Sequence, residues 1–226
     1  MALTRELGRN EQLRVWVGEG ADTVEIPLSE TVYVDALELE RSLAVASHGS
    51  WGSLVITSAR AASAAALARV RAASDVELFS VGAATTAALH RVGLEMPRAQ
   101  SSAGALALAA QIRRSPVLVL GAKGMRTDLS EALVQRGLEV DVVACYETRA
   151  LALDEPARAA LAGCDVVFVG APSAWAVARD VVACQTWVVV PGATTAEVVR
   201  ESHERVLEGW GPSLGVRLAA LSRPAD

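Results

Sequence analysis

Aromatic side chains are scarce in this chain, with two phenylalanines, two tyrosines and five tryptophans among 226 residues, so alanine, valine and leucine must build its core. At 52 % hydrophobic, such a chain is neither disordered nor fibrous, and a soluble globular α/β or α protein remains. Runs of basic residues are missing too: 21 Lys and Arg stand against 26 Asp and Glu, a formal charge of −5. Tracking a phosphate backbone requires a basic stripe, so nucleic acid is excluded as a partner. No apolar stretch approaches the roughly 18 residues of a membrane helix. The start runs straight into polar "TRELGRNEQ" and not from a basic segment into an apolar one, which predicts a cytoplasmic protein without a membrane association. Cys145, Cys164 and Cys184 are odd in number and widely spaced, with no CxxC and no histidine at ligand spacing. They read as ordinary buried thiols in a reducing compartment, and no metal site is expected.

What is present is repetition. "GAATTA" at 82–87 and "GATTA" at 192–196 are nearly one peptide, each after an apolar run ("VELFSV", "TWVVV") and before a segment of helical spacing. Both read as strand, glycine turn, helix. Upstream, "SLVITSARAASAAALARV" (53–70) matches "DVVFVGAPSAWAVARDV" (165–181), so a two-unit stretch recurs about 110 positions later. A second kind of unit recurs as "LTRELGRNEQLRVWVGEGADTVEIPL" (3–28) and "LVLGAKGMRTDLSEALVQRGLEVDVVACYET" (118–148). Strands alternating with helices predict an α/β fold with parallel sheets flanked by helices, and a repeat of this length predicts two similar domains.

Periodicity leaves the pairing of units open. One division falls near residue 113; the other joins the two chain ends into one domain around a continuous middle. In either case "LSETVYVD" (28–35) and "CYETRALAL" (145–153) read as connecting strands, short, β-rich and edged with charge.

Taken in order, "LTR" with the following "N" and "L" and the closing "IPL", then "TSARA", "VGAATTAAL", the arginine of "KGMRTDL", "VVACYET", "FVGAPSAW" and "GATTAEVV" resemble the uroporphyrinogen-III synthase family over nearly the whole chain. The resemblance implies the discontinuous division, residues 1–34 with 150–226 as one domain and 35–149 as the other, joined by a two-stranded connection with a wide cleft between them. It implies a lyase of tetrapyrrole biosynthesis, working without metal or organic cofactor. Its substrate would be hydroxymethylbilane, a linear tetrapyrrole with eight carboxylates, closed to uroporphyrinogen III with inversion of the last ring and loss of water. A monomer is implied, with a transient contact to the preceding bilane-forming enzyme.

The same resemblance assigns site residues. Tyr146 of "CYET" matches a tyrosine at the cleft, where a phenol can donate a proton to the departing hydroxyl; a phenol's ordinary pKa near 10 makes that assistance and not full transfer. The plainer reading is a tyrosine packed on a connecting strand. Ser58 and Arg60 of "TSARA", Thr85, Arg5, Arg126, Ser173, and Thr194 and Thr195 match substrate-binding positions. Helix-opening turns offer N–H groups to carboxylates and arginine grips them bidentately. Read plainly, the threonines are helix N-caps and the arginines surface residues.

Several features depart from the family pattern. Ala171 stands where a serine is common, Lys123 and Met125 sit in an unusual "LGAKGM" turn, and almost no strand precedes Thr4 and Arg5, so that strand is abbreviated or the true start lies upstream. These motivate a second reading, a tetrapyrrole-binding homologue with impaired catalysis. A third, a nucleotide-dependent oxidoreductase or methyltransferase built on "LVLGAKG", lacks GxGxxG or any related fingerprint. The tryptophans read as packing or loop anchors, His48, His90 and His203 as surface residues, and "GWGPSLGVRLAALSRPAD" as a loosely held end.

Overall fold

The structure is a computed structural model and describes residues 1–46, 50–72, 74–94, 99–101 and 104–221. In chain order its elements are β1 (Ala2–Leu3), α1 (Glu11–Val17), β2 (Val24–Glu25), β3 (Ser29–Tyr33), α2 (Ala36–Val45), β4 (Ser53–Ile56), α3 (Ala62–Arg71), β5 (Glu77–Val81), α4 (Ala83–Arg91), β6 (Ala99–Ser101), β7 (Val117–Ala122), α5 (Asp128–Gln135), β8 (Val140–Ala150), α6 (Glu155–Ala162), β9 (Val166–Phe168), α7 (Pro172–Ala178), β10 (Trp187–Val190), α8 (Ala193–Arg200), β11 (Val206–Glu208) and α9 (Leu214–Leu221). Short 3-10 turns cover Ala59–Ala61 and Leu106–Gln111. The chain divides into two compact units, residues 1–31 with 149–226 and residues 32–148.

The second unit is built on a six-stranded sheet in the order β3-β8-β7-β4-β5-β6, parallel from β8 to β6. Its centre is β4 beside β7, with Leu54 opposite Leu118 and Val55 opposite Val119. All four residues of "SLVI" are buried: Leu54, Val55 and Ile56 form the apolar run that a strand covered on both faces requires, and Ser53 Oγ donates to Arg114 O at 2.8 Å. Strand alternation then sorts the core. Leu54, Ile56, Leu118 and Leu120 face one layer with Leu43, Ala65 and Leu89; Val55, Val117 and Val119 face the other with Leu108, Leu129 and Leu133. Helices follow from equally local causes. Asp35 caps α2 by accepting from Leu37 N and Glu38 N, while Leu39 and Leu43, four residues apart, form its buried stripe. In α3, Ala64, Ala65 and Ala68 are buried, small side chains that let the helix lie close to its neighbours.

The first unit carries a five-stranded parallel sheet, β11-β10-β9-β1-β2. Only two residues long, β1 is nonetheless interior and fully buried, with Ala2 opposite both Val24 and Val167. The end of the chain is better held than its composition suggests. Leu214 is buried, and α9 approaches α1 so closely that a Cβ on Gly215 would meet the carbonyl oxygens of Trp16 and Val17 at 2.7 and 2.8 Å. The expected loose end is therefore corrected for residues 214–221; beyond them the chain lies outside the described residues.

Laid side by side, β8-β7-β4-β5-β6 and β2-β1-β9-β10-β11 are one strand order written twice. The α/β class, the helix-flanked parallel sheets and the similarity of the two halves are as the sequence predicts. β3 and β8, both predicted as connecting strands, are the two passages of the chain between units. They are neighbours of opposite sense, with Val34 N donating to Cys145 O and Leu151 N to Leu28 O, each at 3.0 Å.

Candidate functional site

In open parallel sheets, ligands settle outside the carboxyl ends of the strands where successive connections leave in opposite directions. Each unit has one such point. In the second unit the chain proceeds from β4 to β5 and β6 on one side, then returns to β7 and β8 on the other, so the reversal lies between β4 and β7. In the first unit it lies between β1 and β9. Residues just past these strands border the two points.

A pocket of about 420 Å³ occupies the reversal point of the second unit, and its lining includes Ser58 past β4, Arg126 past β7 and Tyr146 on β8. Three residues singled out by sequence, well separated from one another along the chain, are thus brought onto one cavity. Its walls are largely apolar, from Val119, Met125, Leu129 and Val142, with Thr57, Thr127 and Ser130 adding hydroxyls. Sequence reasoning missed Thr57 and Met125 as lining residues, although the odd "LGAKGM" turn was the signal. Gly121 is why they fit: a Cβ there would collide with Thr57 Oγ1 and stand 2.9 Å from Met125 Cε and Sδ. Thr57 Oγ1 donates to Leu120 O at 3.0 Å, which fixes that wall to β7.

Tyr146 reaches the pocket through an irregularity. Along β7 and β8, Gly121 pairs with Ala144 but Ala122 with Tyr146, so Cys145 is an extra residue on β8. Such a bulge re-aims the next side chain, and Val143, Cys145 and Tyr146 are all buried, a break in strict alternation. Only 5 % of Tyr146 is exposed. Its carbonyl accepts from Lys123 N at 2.7 Å, and its ring lies 6.3 Å from that of Tyr33. Half-buried Arg60 places its guanidinium carbon 5.7 Å from the Tyr146 centroid, within cation–π range. Arg60 is therefore no simple surface arginine. Ser58 caps the 3-10 turn, its Oγ accepting from Arg60 N at 3.2 Å. Each cation nearby meets a carboxylate: Arg126, 86 % exposed, pairs with Asp128, and Lys123 Nζ lies 3.4 Å from Glu147 Oε2.

In the first unit, Arg5 follows β1 and Ala171, Pro172 and Ser173 follow β9. Arg5 Nη1 donates to Arg9 O at 2.6 Å, and the guanidinium carbon lies 5.3 Å from the Trp210 ring centroid. Ala171 occupies the N-cap of α7 in extended conformation, with no side-chain cap, the place Ser58 holds in the other unit. Ser173, exposed, is the second residue of the helix.

The twin peptides require a correction. Neither Thr85, Thr194 nor Thr195 is an N-cap: the caps are Gly82 and Gly192, which have no side chain to give. Counting from those glycines, Thr85 and Thr195 are both third in their helices and both buried, while exposed Thr194 matches Ala84. The equivalent pair is therefore Thr85 with Thr195. Gly82, at φ 80°, takes a left-handed conformation that threonine rarely adopts, which is why the cap is glycine. These helix starts lie one strand away from the reversal points, past β5 and β10.

Other expectations divide. His90 is exposed as predicted and His48 lies outside the described residues. His203 is buried instead, its Nε2 2.7 Å from Thr186 O and its ring 5.6 Å from Trp175; a ring with a carbonyl partner and an aromatic neighbour can be interior. Of the thiols only Cys145 is buried; Cys164 is half-buried and Cys184 exposed. Among the described residues no cluster of three His, Cys, Asp or Glu is placed to hold a metal ion, and no helix is long and apolar enough to cross a membrane.

Comparison with known proteins agrees with this fold. The profile of the family described as uroporphyrinogen-III synthase HemD matches residues 15–207. Uroporphyrinogen-III synthetase from Helicobacter pylori superposes with a TM-score of 0.64 at 20 % identity, over 92 % of this chain and 97 % of that one. A mutant uroporphyrinogen III synthase from Thermus thermophilus gives 0.61 at 17 % identity, over 97 % of each chain. At these identities the structures speak for the fold. No curated protein matches the chain in sequence.

Proposed function

Because the chain belongs to the uroporphyrinogen-III synthase family, we propose that it closes hydroxymethylbilane to uroporphyrinogen III as a carbon–oxygen lyase, with the second unit's pocket at the reacting end. In this reaction the hydroxyl of the terminal hydroxymethyl group takes a proton and leaves as water, while its methylene stays on the ring. The substituted carbon of the last ring attacks the pyrrole-stabilised cation left on that methylene, giving a spiro intermediate; the bond from that carbon to its original bridging methylene then breaks and re-forms at the ring's free carbon, which loses a proton, and this exchange of carbons inverts the ring.

What supports the placement is the meeting of Ser58, Arg126 and Tyr146 on one cavity at the reversal point of the sheet. The apolar walls suit a pyrrole ring, and the hydroxyls and Arg126 suit its carboxylates, which arginine binds through two parallel hydrogen bonds. Tyr146 donates a hydrogen bond to the departing hydroxyl, and the mostly apolar surroundings strengthen that contact by keeping water away. Orientation supplies most of the rate, since a flexible bilane must be held with one carbon and not its neighbour against the cation. The remaining assigned residues, Arg5, Arg60, Ser173, Thr85, Thr194 and Thr195, mark carboxylate contacts at the carboxyl edges of their own sheets; Thr85 and Thr195 are buried and Thr85 N already donates to Gly82 O at 3.1 Å, so at these two turns the donors are the amides that open α4 and α8 ahead of the threonines. The reaction needs no cofactor, and the protein acts in the cytoplasm as a monomer that receives its unstable substrate through a transient contact with the bilane-forming enzyme.

Steady-state kinetics on hydroxymethylbilane test the placement. Tyr146→Phe is expected to lower kcat about 100-fold, the low end for a general acid, with KM little changed. Arg126→Ala is expected to raise KM about tenfold, as loss of a charge-assisted contact does. Should Arg126→Ala and Ser58→Ala both leave KM and kcat at the native values, the pocket is not the substrate site.

A further inference from the structure

The first unit holds a constellation of its own at its sheet edge. Trp210 lies two residues past β11 and is 45 % exposed. Its ring is nevertheless fixed from two directions: Trp16 of α1 meets it edge-on at 4.7 Å and 83°, and Phe168, at the end of β9, lies 5.6 Å away. Tryptophan serving only to fill a core would have that surface covered. Against this ring stands Arg5, two residues past β1 and at the reversal point between β1 and β9. Its guanidinium carbon is 5.3 Å from the indole centroid, and its Nη1 is tethered to Arg9 O at 2.6 Å. Gly170, on the β9 side of the same reversal, has Arg5 Cγ 3.8 Å from where its Cβ would be. The stem of Arg5 therefore runs along the end of β9 and its head rests on the indole.

We propose that Trp210 is a positioning residue. Its ring, braced by Trp16 and Phe168, holds the Arg5 guanidinium at the carboxyl edge of the first unit's sheet, ready to take a carboxylate of the substrate. An arginine left free would have to be ordered out of many rotamers at the moment of binding; one already resting on a rigid aromatic face has been ordered on folding. The sequence places the two residues 205 positions apart, which is why the pairing is invisible before folding. The inference rests on the reading of Arg5 as a carboxylate contact.

The test is a double-mutant cycle on the full chain, read by calorimetric binding of uroporphyrin III, a stable octacarboxylate, and by KM for hydroxymethylbilane. Trp210→Ala is expected to weaken both about two- to fivefold, the range of an exposed cation–π contact, with kcat close to native and a lower melting temperature from the lost Trp16 and Phe168 contacts. Trp210→Phe should restore the native values. In an Arg5→Ala background the Trp210→Ala change should add nothing, because the tryptophan acts through the arginine. Equal losses from Trp210→Ala with and without Arg5, or no loss in either background, overturn the proposal while leaving Arg5 as a contact. Native affinity in Arg5→Ala overturns the Arg5 assignment and the proposal with it. A native protein that does not bind the probe removes the tetrapyrrole reading altogether.

Discussion

Cys145 shows how one residue can carry information that its type conceals. As the extra residue of the β8 bulge it is buried beside Tyr146, and burial pushes its thiol up from 9.0 to about 12, with the Gly121 backbone hydrogen bond opposing. The folded state therefore holds this proton more tightly than the unfolded chain does. Stability from the neutral thiol is complete below about pH 9 and is lost as pH rises toward 12. Denaturant unfolding at pH 8 and pH 11 should show Cys145→Ala losing less stability over that interval than the native protein. The three thiols should also separate by rate, since reactivity follows thiolate character and access. Mass spectrometry after brief alkylation should find exposed Cys184 modified first, half-buried Cys164 later and Cys145 only on unfolding. Sequence spacing predicts all three as buried. That holds for Cys145 alone; Cys164 and Cys184 lie in the connections after α6 and α7, where no strand or helix period sets burial.

Strands and helices were more legible than the caps that join them. "SLVI" and the "LVL" of "LVLGAKGM" read directly as strands because nearly every residue is apolar. "GAATTA" and "GATTA" read as helix starts because glycine precedes an apolar periodic segment. Their alignment with one another was not readable: matching the letters pairs Thr85 with Thr194, whereas matching the helix starts pairs it with Thr195. Ala171 departs from the family pattern, and its position gives that departure an energetic meaning. It is the N-cap of α7, in the extended conformation a capping serine adopts, with no acceptor for the first amides. Ala171→Ser should raise unfolding free energy by about 0.5–1 kcal/mol, readable as a higher denaturant midpoint at unchanged slope. Gly121→Ala should act oppositely. The added Cβ would strike Thr57 and Met125, and overpacking of this kind costs about 1–3 kcal/mol. It should also weaken substrate binding, because both neighbours line the pocket; unaltered stability and KM would mean that wall is softer than described.

For the molecule entire, the alternation of strands with helices and the recurrence of two kinds of unit were enough to predict paired parallel sheets. Strand order was beyond that reasoning. Two-residue β1 carries almost no propensity of its own and is interior only because β2 and β9 flank it, and the reversal points between β1 and β9 and between β4 and β7 exist only once the order is set. Those points gather Arg5 with Trp210, and Ser58 with Arg126 and Tyr146, residues that no spacing rule connects. The central claim is that this architecture directs ring closure, and it is tested most directly by the isomer formed. Hydroxymethylbilane closes unaided to the isomer without inversion, so purified protein mixed with it, oxidised and separated by chromatography, should give predominantly uroporphyrin III. A product composed only of the type I isomer, at the rate of the protein-free control, would contradict the account.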